Sequence, residues 1–383
     1  MTKKVFIIVG EKSADLYGAR IIAELKKQLP DLVFSGTGGD AMQVEGFKPI
    51  FHINQISYIG YFELIKHSFE IVKKMKKIKS DFLKFSPDLV LLIDYSGFNL
   101  SFARYVKENS SAKVVYFIPP SIWISKEYRA NKLKQFTDEL IVHLPFEQPF
   151  FKKKGLDAHY FGNPLAFELK DYPRNPKKFK RELLVKHGQK VIAIMLGSRN
   201  EVFDRLAPIA LEVMKLLAKP KIKNKYKFVL SLADSISVDR KRRFLSQIKP
   251  YDYAINKKVA TYALAHADFV LANSGTLTLE ASLLDCPMII YFRGSYLSMK
   301  LARMLIKLNY FGLPNIILKK EAVEEYIQER ARGDLIARRI EELLAQPEMI
   351  AEMLLDYKKI QAKLYTEQNP YLEVSKIILK NLR

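Results

Sequence analysis

Two hydrophobic patterns alternate along the chain. Short runs that are apolar at nearly every position occur at 5–9, 32–35, 89–94, 113–118 and 139–142. After a break they return at 191–196, 228–232, 269–272 and 288–291. A strand that is apolar on both faces is covered on both faces, as in the parallel sheets of α/β proteins. The stretches 17–29 and 65–85 instead repeat apolar residues every three or four positions and predict amphipathic helices. The segment 277–284 predicts a further helix, and 346–383 one or two more. Two successive sets of strands and helices predict an α/β protein of two doubly wound, parallel-sheet, Rossmann-like domains. The expected limits are 1–170 for the first domain, 171–190 for a linker and 191–345 for the second domain. The helices of 346–383 are expected to pack back on the first domain. The linker assignment rests on Pro173, Pro176, the basic run Lys177-Lys178-Phe179-Lys180-Arg181 and few apolar residues.

In doubly wound sheets ligands collect at the carboxyl ends of the strands. Five polar, turn-forming segments fall at such ends. They are Gly10-Glu11-Lys12-Ser13-Ala14-Asp15, Asp94-Tyr95-Ser96-Gly97-Phe98-Asn99, Pro119-Pro120-Ser121-Ile122-Trp123, Gly197-Ser198-Arg199 and Asn273-Ser274-Gly275-Thr276. The last is the most informative. A Ser-Gly-Thr turn between a buried strand and a helix aims free N–H groups and the positive end of the helix dipole at one point, which suits a phosphate. Glu280 follows about one helical turn beyond Thr276, where a carboxylate can accept hydrogen bonds from a ribose diol. Diphosphate and ribose together describe a nucleotide. The same residues also fit an ordinary capped helix with Ser274 or Thr276 at the N-cap. The five segments together favour a cleft between two domains with the nucleotide on the second.

Composition narrows the class. With 383 residues and 49% apolar side chains the chain can build two cores. Its one cysteine, Cys286, lies in an apolar run and points to a reducing compartment. No signal peptide fits Met1-Thr2-Lys3-Lys4, and no apolar run approaches the ~18 residues of a membrane span. A cytoplasmic protein, soluble or on a membrane surface, is expected. The net charge of +22 suits an anionic membrane or a nucleic acid. A lysine-, isoleucine- and asparagine-rich chain is also what an AT-rich genome writes. The clusters Lys152-Lys153-Lys154, 219–227 and 240–243 come with no recognition motif and no aromatic platform, which argues against nucleic acid. The histidines His52, His67, His143, His159, His187 and His266 are scattered and form no metal-ligand spacing.

The ordered set of motifs resembles the lipid-A-disaccharide synthase family of two-Rossmann-domain glycosyltransferases over nearly the whole chain. It comprises Gly10-Glu11-x-Ser13-x-Asp15, Gly36-x-Gly38-Gly39, Ile59-Gly60-Tyr61-Phe62-Glu63, Pro87-Asp88 and Ile93-Asp94 with Phe98-Asn99. It continues with Pro120-Ser121-Ile122-Trp123, Arg129 and Lys132, then Leu144-Pro145-Phe146-Glu147 and Gly162-x-Pro164. The last members are Gly197-Ser198-Arg199, Ser274-Gly275-Thr276-x-Thr278-Leu279-Glu280, Pro287-Met288 and Leu313-Pro314-Asn315. The resemblance implies the GT-B arrangement, two Rossmann-like domains facing across a cleft. It implies inverting transfer of 2,3-diacylglucosamine from its UDP donor to 2,3-diacylglucosamine 1-phosphate (lipid X), at the inner face of the cytoplasmic membrane. Neither metal nor cofactor is implied, and a homodimer is left open. A related transferase or a UDP-sugar epimerase of the same fold is the alternative.

Inverting transfer needs positive charge for the leaving diphosphate and a base for the attacking hydroxyl. Arg199 and the Ser274-Gly275-Thr276 helix start can supply the first. The family commonly carries Pro-Asp ahead of Phe-Asn, and that Asp is the usual base; this chain has Ser96-Gly97 there. Asp94 is the nearest remaining carboxylate, with Glu11 and Asp15 as further candidates. Lys12, Ala14 and Asn163 also depart from the family's usual residues. The implied substrate-binding residues are Ser13, Asn99, Ser121, Trp123, Gly197, Ser198, Ser274, Gly275, Thr276, Glu280, Asn315 and Gln328.

Overall fold

The computed structural model describes residues 2–56, 68–125, 127–219, 225–295 and 309–383. The Ile59-Gly60-Tyr61-Phe62-Glu63 motif lies outside them. The chain divides into two compact units, Met1–Phe167 with Leu364–Arg383, and Glu168–Lys363.

The first unit holds the strands β1 (Lys4–Ile8), β2 (Val33–Gly38), β3 (Phe51–His52), β4 (Leu89–Ile93), β5 (Lys113–Phe117), β6 (Glu139–Val142) and β7 (His159–Tyr160). They form one parallel sheet in the order β3-β2-β1-β4-β5-β6-β7. The unbroken apolar runs follow from burial on both faces. Val5, Ile7, Leu89, Leu91, Val115 and Phe117 enter one core, and Phe6, Ile8, Val90, Leu92, Val114 and Tyr116 enter the other. The first face is covered by the helices Lys12–Gln28 and Pro370–Leu382. The second is covered by Ser68–Phe85 and Ser96–Asn109 through Ile78, Phe82, Phe98, Phe102 and Val106.

The second unit holds β8 (Lys190–Met195), β9 (Tyr226–Ser231), β10 (Tyr253–Ile255), β11 (Phe269–Asn273), β12 (Met288–Phe292) and β13 (Glu325–Ile327). Its parallel order is β10-β9-β8-β11-β12-β13. The fold class is therefore the expected one, two doubly wound parallel-sheet units.

The division falls elsewhere than the sequence pattern placed it. Most of 171–190 packs into the second unit instead of linking. The short helix Pro176–Glu182 buries Phe179 completely against Tyr262 and His266, with ring centroids at 5.4 and 5.0 Å. Arg174 Nη2 donates to the Leu284 carbonyl at 2.8 Å. One aromatic side chain anchors a segment whose composition is that of a linker. The tail is divided as well. The helix Pro347–Leu364 packs in the second unit, where Met288 N donates to Met353 Sδ at 3.4 Å. Residues 364–383 alone return to the first unit. There Tyr371, Val374, Ile378 and Leu382 form a buried stripe at helical spacing, and Asn369 Oδ1 caps the helix by accepting from Tyr371 N at 3.0 Å.

Strand order reverses between β1 and β4 in the first sheet and between β8 and β11 in the second. Connections leave these neighbouring strands in opposite directions, which opens a crevice beyond their carboxyl ends. The loops at those ends are 9–15 with 94–99, and 196–199 with 274–276. All but one of the segments singled out in the sequence lie there; Pro119-Pro120-Ser121-Ile122-Trp123 follows the adjacent β5.

Candidate active site

In the first unit the chain leaves β4 through two consecutive left-handed residues, Asp94 (φ 50°) and Tyr95 (φ 49°). Each costs a non-glycine residue about 1–3 kcal/mol and persists only where neighbours over-determine it. Here the Asp94 carbonyl accepts from Asn99 Nδ2 at 2.8 Å and from the Tyr116 hydroxyl at 2.9 Å, and Tyr95 Oη donates to the Ile56 carbonyl at 2.9 Å. Asn99 is fully buried and its amide also donates to Ile93 O at 3.3 Å. Both donations go to main-chain carbonyls of the turn, and its Oδ1 has no hydrogen-bond partner among the described residues. The Asp94 side chain is half-buried, and burial together with the Glu11 charge pushes its pKa up to about 6; His143 and the Tyr95 N–H act against them.

Glu11 stands at the N-cap position of the helix Lys12–Gln28, exposed and without a side-chain capping bond; Ser13 is exposed beside it. Asp15 differs. It is 3% exposed, and its oxygens accept from Gly39 N at 2.6 Å, Ala41 N at 2.9 Å and Met42 N at 3.3 Å. The carboxylate therefore caps the helix Asp40–Val44 from outside through three main-chain N–H groups. Gly39 permits the approach, since a Cβ there would lie 2.6 Å from Asp15 Oδ2. Of the three carboxylates named from the sequence, Asp94 and Glu11 face the same switch point, and Asp15 belongs to the scaffold. Gly97 is exposed, and a Cβ there would meet nothing within 4 Å.

Beyond β5, Ser121 and Trp123 are half-buried, and Trp123 Nε1 donates to Glu147 Oε1 at 2.9 Å. Glu147 is fully buried, and its other oxygen accepts from His143 N at 3.2 Å and Leu144 N at 3.0 Å. His143 and Glu147 were not singled out as site residues in the sequence. The signal was the four-residue spacing that puts both at the end of one strand and the start of the next helix.

In the second unit Gly275 (φ 118°) occupies the N-cap of the helix Thr276–Leu283, a backbone conformation that glycine adopts without strain. Neither Ser274 nor Thr276 caps the helix, and its start has no side-chain capping hydrogen bond among the described residues. Ser274 is half-buried, and Gly275 and Thr276 are exposed. Gly197, Ser198 and Arg199 stand at the end of the neighbouring strand β8. A Cβ on Gly197 would lie 3.7 Å from Asn273 Nδ2, which places the two loops side by side. The Ser198 carbonyl accepts from Ser235 Oγ at 2.5 Å. Arg199 is exposed at the N-cap of the helix Asn200–Leu217, and its guanidinium pairs with no carboxylate among the described residues.

Glu280 accepts a hydrogen bond from Thr261 Oγ1; burial raises its pKa and that bond lowers it, with burial the larger. Asn315 is fully buried: Nδ2 donates to Val323 O at 2.7 Å and Glu325 Oε1 at 2.8 Å, and Oδ1 accepts from Val323 N at 2.9 Å. It holds the helix Leu313–Leu318 to the chain ahead of β13. Gln328, in the left-handed region at φ 55°, accepts from Gly294 N at 2.7 Å and is 8% exposed. No group of three or more His, Cys, Asp or Glu side chains suited to a metal occurs among the described residues.

Residues 5–375 match the model of the lipid-A-disaccharide synthetase family. The chain belongs to this family. It is 33% identical over 369 residues to the lipid-A-disaccharide synthase of Rickettsia felis, covering 96% of this chain and 93% of that one. It is 32% identical to that of Trichlorobacter lovleyi, covering 90% and 89%. Among solved structures it is similar to a UDP-GlcNAc 2-epimerase from Neisseria meningitidis, with TM-score 0.63, 14% identity and 99% of both chains covered. It is also similar to a UDP-GlcNAc 2-epimerase from Methanocaldococcus jannaschii, with TM-score 0.65, 12% identity and 98% and 99% covered. At such identities the likeness to the epimerases is one of fold.

Family membership leaves the role of Asp15 to be tested. Asp15→Asn keeps one acceptor oxygen and loses the charge at a helix N-terminus. It should destabilise the first unit by about 1–3 kcal/mol and speed hydrogen exchange at the amides of Gly39 to Met42, with UDP affinity unchanged. Unaltered stability with abolished turnover would instead return Asp15 to the chemistry.

Proposed function

We propose that the chain transfers 2,3-diacylglucosamine from UDP to the 6-hydroxyl of 2,3-diacylglucosamine 1-phosphate, with Asp94 as base and the Gly275 helix start as the diphosphate site. The chain is a glycosyltransferase of lipid A biosynthesis, taking a UDP-sugar donor and a lipid acceptor. The assignment of roles rests on one feature: a half-buried carboxylate at the switch point of the first sheet, where burial and the Glu11 charge push its pKa up to about 6. Such a group is largely ionised at neutral pH and is a stronger base than an ordinary carboxylate.

The hydroxyl oxygen attacks the anomeric carbon from the side opposite UDP, its proton passes to Asp94, and the bond from that carbon to the diphosphate oxygen breaks. Configuration inverts. Negative charge grows on the leaving diphosphate, where the uncapped N–H groups at Gly275-Thr276 and the unpaired Arg199 would meet it. Glu280 would exchange its Thr261 partner for the ribose hydroxyls. Ser274, Gly197 and Ser198 would line the same pocket. Glu11, exposed and acting on Asp94 through its charge, would bind the acceptor sugar and keep the base strong. The reaction as written requires no second copy of the chain.

Both substrates carry acyl chains, so the enzyme is expected at the inner face of the cytoplasmic membrane. No helix among the described residues is long and apolar enough to cross a bilayer. The helix Ser68–Phe85 exposes Val72 and Leu83 beside Lys73, Lys76 and Lys84. Lys74 and Lys77 are engaged, with Gln55 O at 2.7 Å and Asp81 at 2.5 Å. Exposed apolar side chains among free lysines suit an anionic headgroup layer. Most of the neighbouring apolar stretch 56–62 lies outside the described residues.

Purified protein given UDP-2,3-diacylglucosamine and lipid X should release UDP and form the disaccharide; no product would overturn the proposal. Asp94→Asn should slow turnover about 10²–10⁴-fold with UDP affinity unchanged. It should also raise the melting temperature. A carboxyl with a folded pKa above its unfolded value is destabilising once ionised, by up to about 2–3 kcal/mol above pH 6 for a shift of this size. Gly97→Asp, with open space for its side chain, should restore part of the lost rate. Near wild-type turnover in Asp94→Asn would move the base to Glu11.

Glu280→Ala and Arg199→Ala should each weaken UDP binding by about 1.5–3 kcal/mol in calorimetry. Unchanged affinity in both would remove the donor-site assignment. Reversing Lys73, Lys76 and Lys84 to glutamate should reduce co-sedimentation with anionic liposomes at low salt, each lysine being worth about 1 kcal/mol near such a surface. Unchanged sedimentation would place the docking face elsewhere.

A further inference from the structure

The second sheet divides at its reversal point. Strand β8 pairs with β9 as far as Met195 opposite Ser231, but with β11 only as far as Ile194 opposite Leu271. On its other side β11 stays paired with β12 to Asn273 opposite Tyr291. Ala272 and Asn273 therefore run on beyond the last β8–β11 pair, and the crevice opens there. The loops that leave it are Leu196-Gly197-Ser198-Arg199 and Ser274-Gly275-Thr276. One side chain spans the division. Tyr291 belongs to β12, two strands from β8, yet its Oη donates to the Met195 carbonyl at 3.0 Å. The ring is 0% exposed and lies in the core with Leu196, Phe203 and Leu271. The bond thus passes β11 on the face that the helix Asn200–Leu217 covers, and it joins β8 to β12 where pairing between β8 and β11 has ended.

A buried hydroxyl is costly without a partner, so this bond is kept. Burial also pushes the phenol's pKa up, which keeps it a neutral donor at physiological pH. Full burial excludes contact with a substrate; what the ring can govern is the chain leaving β8. Met195 is the last residue of that strand. Gly197 then turns the chain at φ 83°, and a Cβ there would lie 2.6 Å from Val202 Cγ1, so the turn sits directly against the start of the following helix. Ser235 Oγ donates to the Ser198 carbonyl. Held at Met195 and again at Ser198, the turn delivers Arg199 to the N-cap of the helix Asn200–Leu217. The opposing loop is tied to the same residue, because Asn273, from which Ser274 and Gly275 follow, is the register partner of Tyr291 itself. One residue is thus joined to both walls of the crevice, by its main chain to the wall at β11 and by its hydroxyl to the wall at β8.

We propose that Tyr291 is a positioning residue for the donor: by joining both walls of the crevice it fixes the spacing between Arg199 and the Gly275 helix start, so that the diphosphate meets both together. This rests on the reading of those two groups as the diphosphate site. Donor groups already in place bind an anion, and stabilise it as it leaves, better than groups that must first be ordered. The Tyr291 hydroxyl itself touches no substrate and moves no proton.

The test measures UDP affinity by calorimetry, and kcat with the KM of each substrate, in the wild type, Tyr291→Phe, Arg199→Ala, Glu280→Ala and the two double variants that carry Tyr291→Phe. Tyr291→Phe removes one oxygen and keeps the ring and its packing, so the variant should fold, and its melting transition checks this. UDP affinity should fall about three- to tenfold, the worth of one buried hydrogen bond. The KM for the UDP-sugar should rise with it, and the KM for lipid X should stay. The loss should add in full to that of Glu280→Ala, and it should shrink in Arg199→Ala, where the group being positioned is gone. A purely structural role would lower the active fraction, and with it kcat, at unchanged KM values and unchanged UDP affinity. That result, or an equal loss in the Arg199 and Glu280 backgrounds, would overturn this proposal and leave Tyr291 as core packing. Unchanged UDP affinity in both Arg199→Ala and Glu280→Ala would instead overturn the donor-site reading and this proposal with it.

Discussion

A parallel sheet whose strand order reverses leaves two neighbouring strand ends with chain departing in opposite directions, and nothing covers the crevice so formed. In the first unit that point lies between β1 and β4, in the second between β8 and β11. The apolar strands fix the sheets, the sheets fix the reversals, and the reversals determine which polar loops lie side by side. Glu11 therefore acts on Asp94 although more than eighty residues separate them, and Gly197 lies close to Asn273 across the same number of strands. Neither pair follows from spacing along the chain.

The two crevices hold charge in opposite ways. In the second unit positive character comes from helix N–H groups behind a glycine N-cap and from an arginine that pairs with no carboxylate among the described residues. In the first unit charge is crowded. Asp94 emerges from two left-handed residues that the Asn99 amide, the Tyr116 phenol and the Tyr95–Ile56 hydrogen bond hold in place. Backbone strain and an unfavourable carboxylate environment fall on one residue. Strain at a strand end that also bears a carboxylate, with the cores on both faces intact, is the pattern expected of a chemical site.

Much of this was legible in the residues. Runs that are apolar at both parities can be read only as strands covered on both faces, and the reversal-point loops were visible as polar turns following them. The division between units was less so. Phe179 is one apolar residue in a basic, proline-bearing stretch, and only the Tyr262–His266 surface it meets, some eighty residues later, explains its burial. Roles at the site divided on the same ground. Asp15, Asn99 and Asn315 are polar residues in motif positions, and their types do not reveal whether their atoms face a ligand or a backbone. All three bond to main-chain groups, and Asn315 also to the Glu325 carboxylate. His143 was one of several scattered histidines, and its buried carboxylate partner appears only once β6 and the following helix are in place.

The helix Pro370–Leu382 covers one face of a sheet whose first strand begins at Lys4. On a ribosome, the second unit, residues 168–363, can be made in full before that helix exists. Val5, Ile7, Leu89 and Leu91 gain part of their apolar cover only from a segment made some three hundred residues later. The earlier-made unit is thus the later to close, a reversal of the usual order in which domains mature as they emerge. During synthesis the nascent first sheet presents an incompletely covered apolar face, and its maturation is tied to the arrival of the last helix.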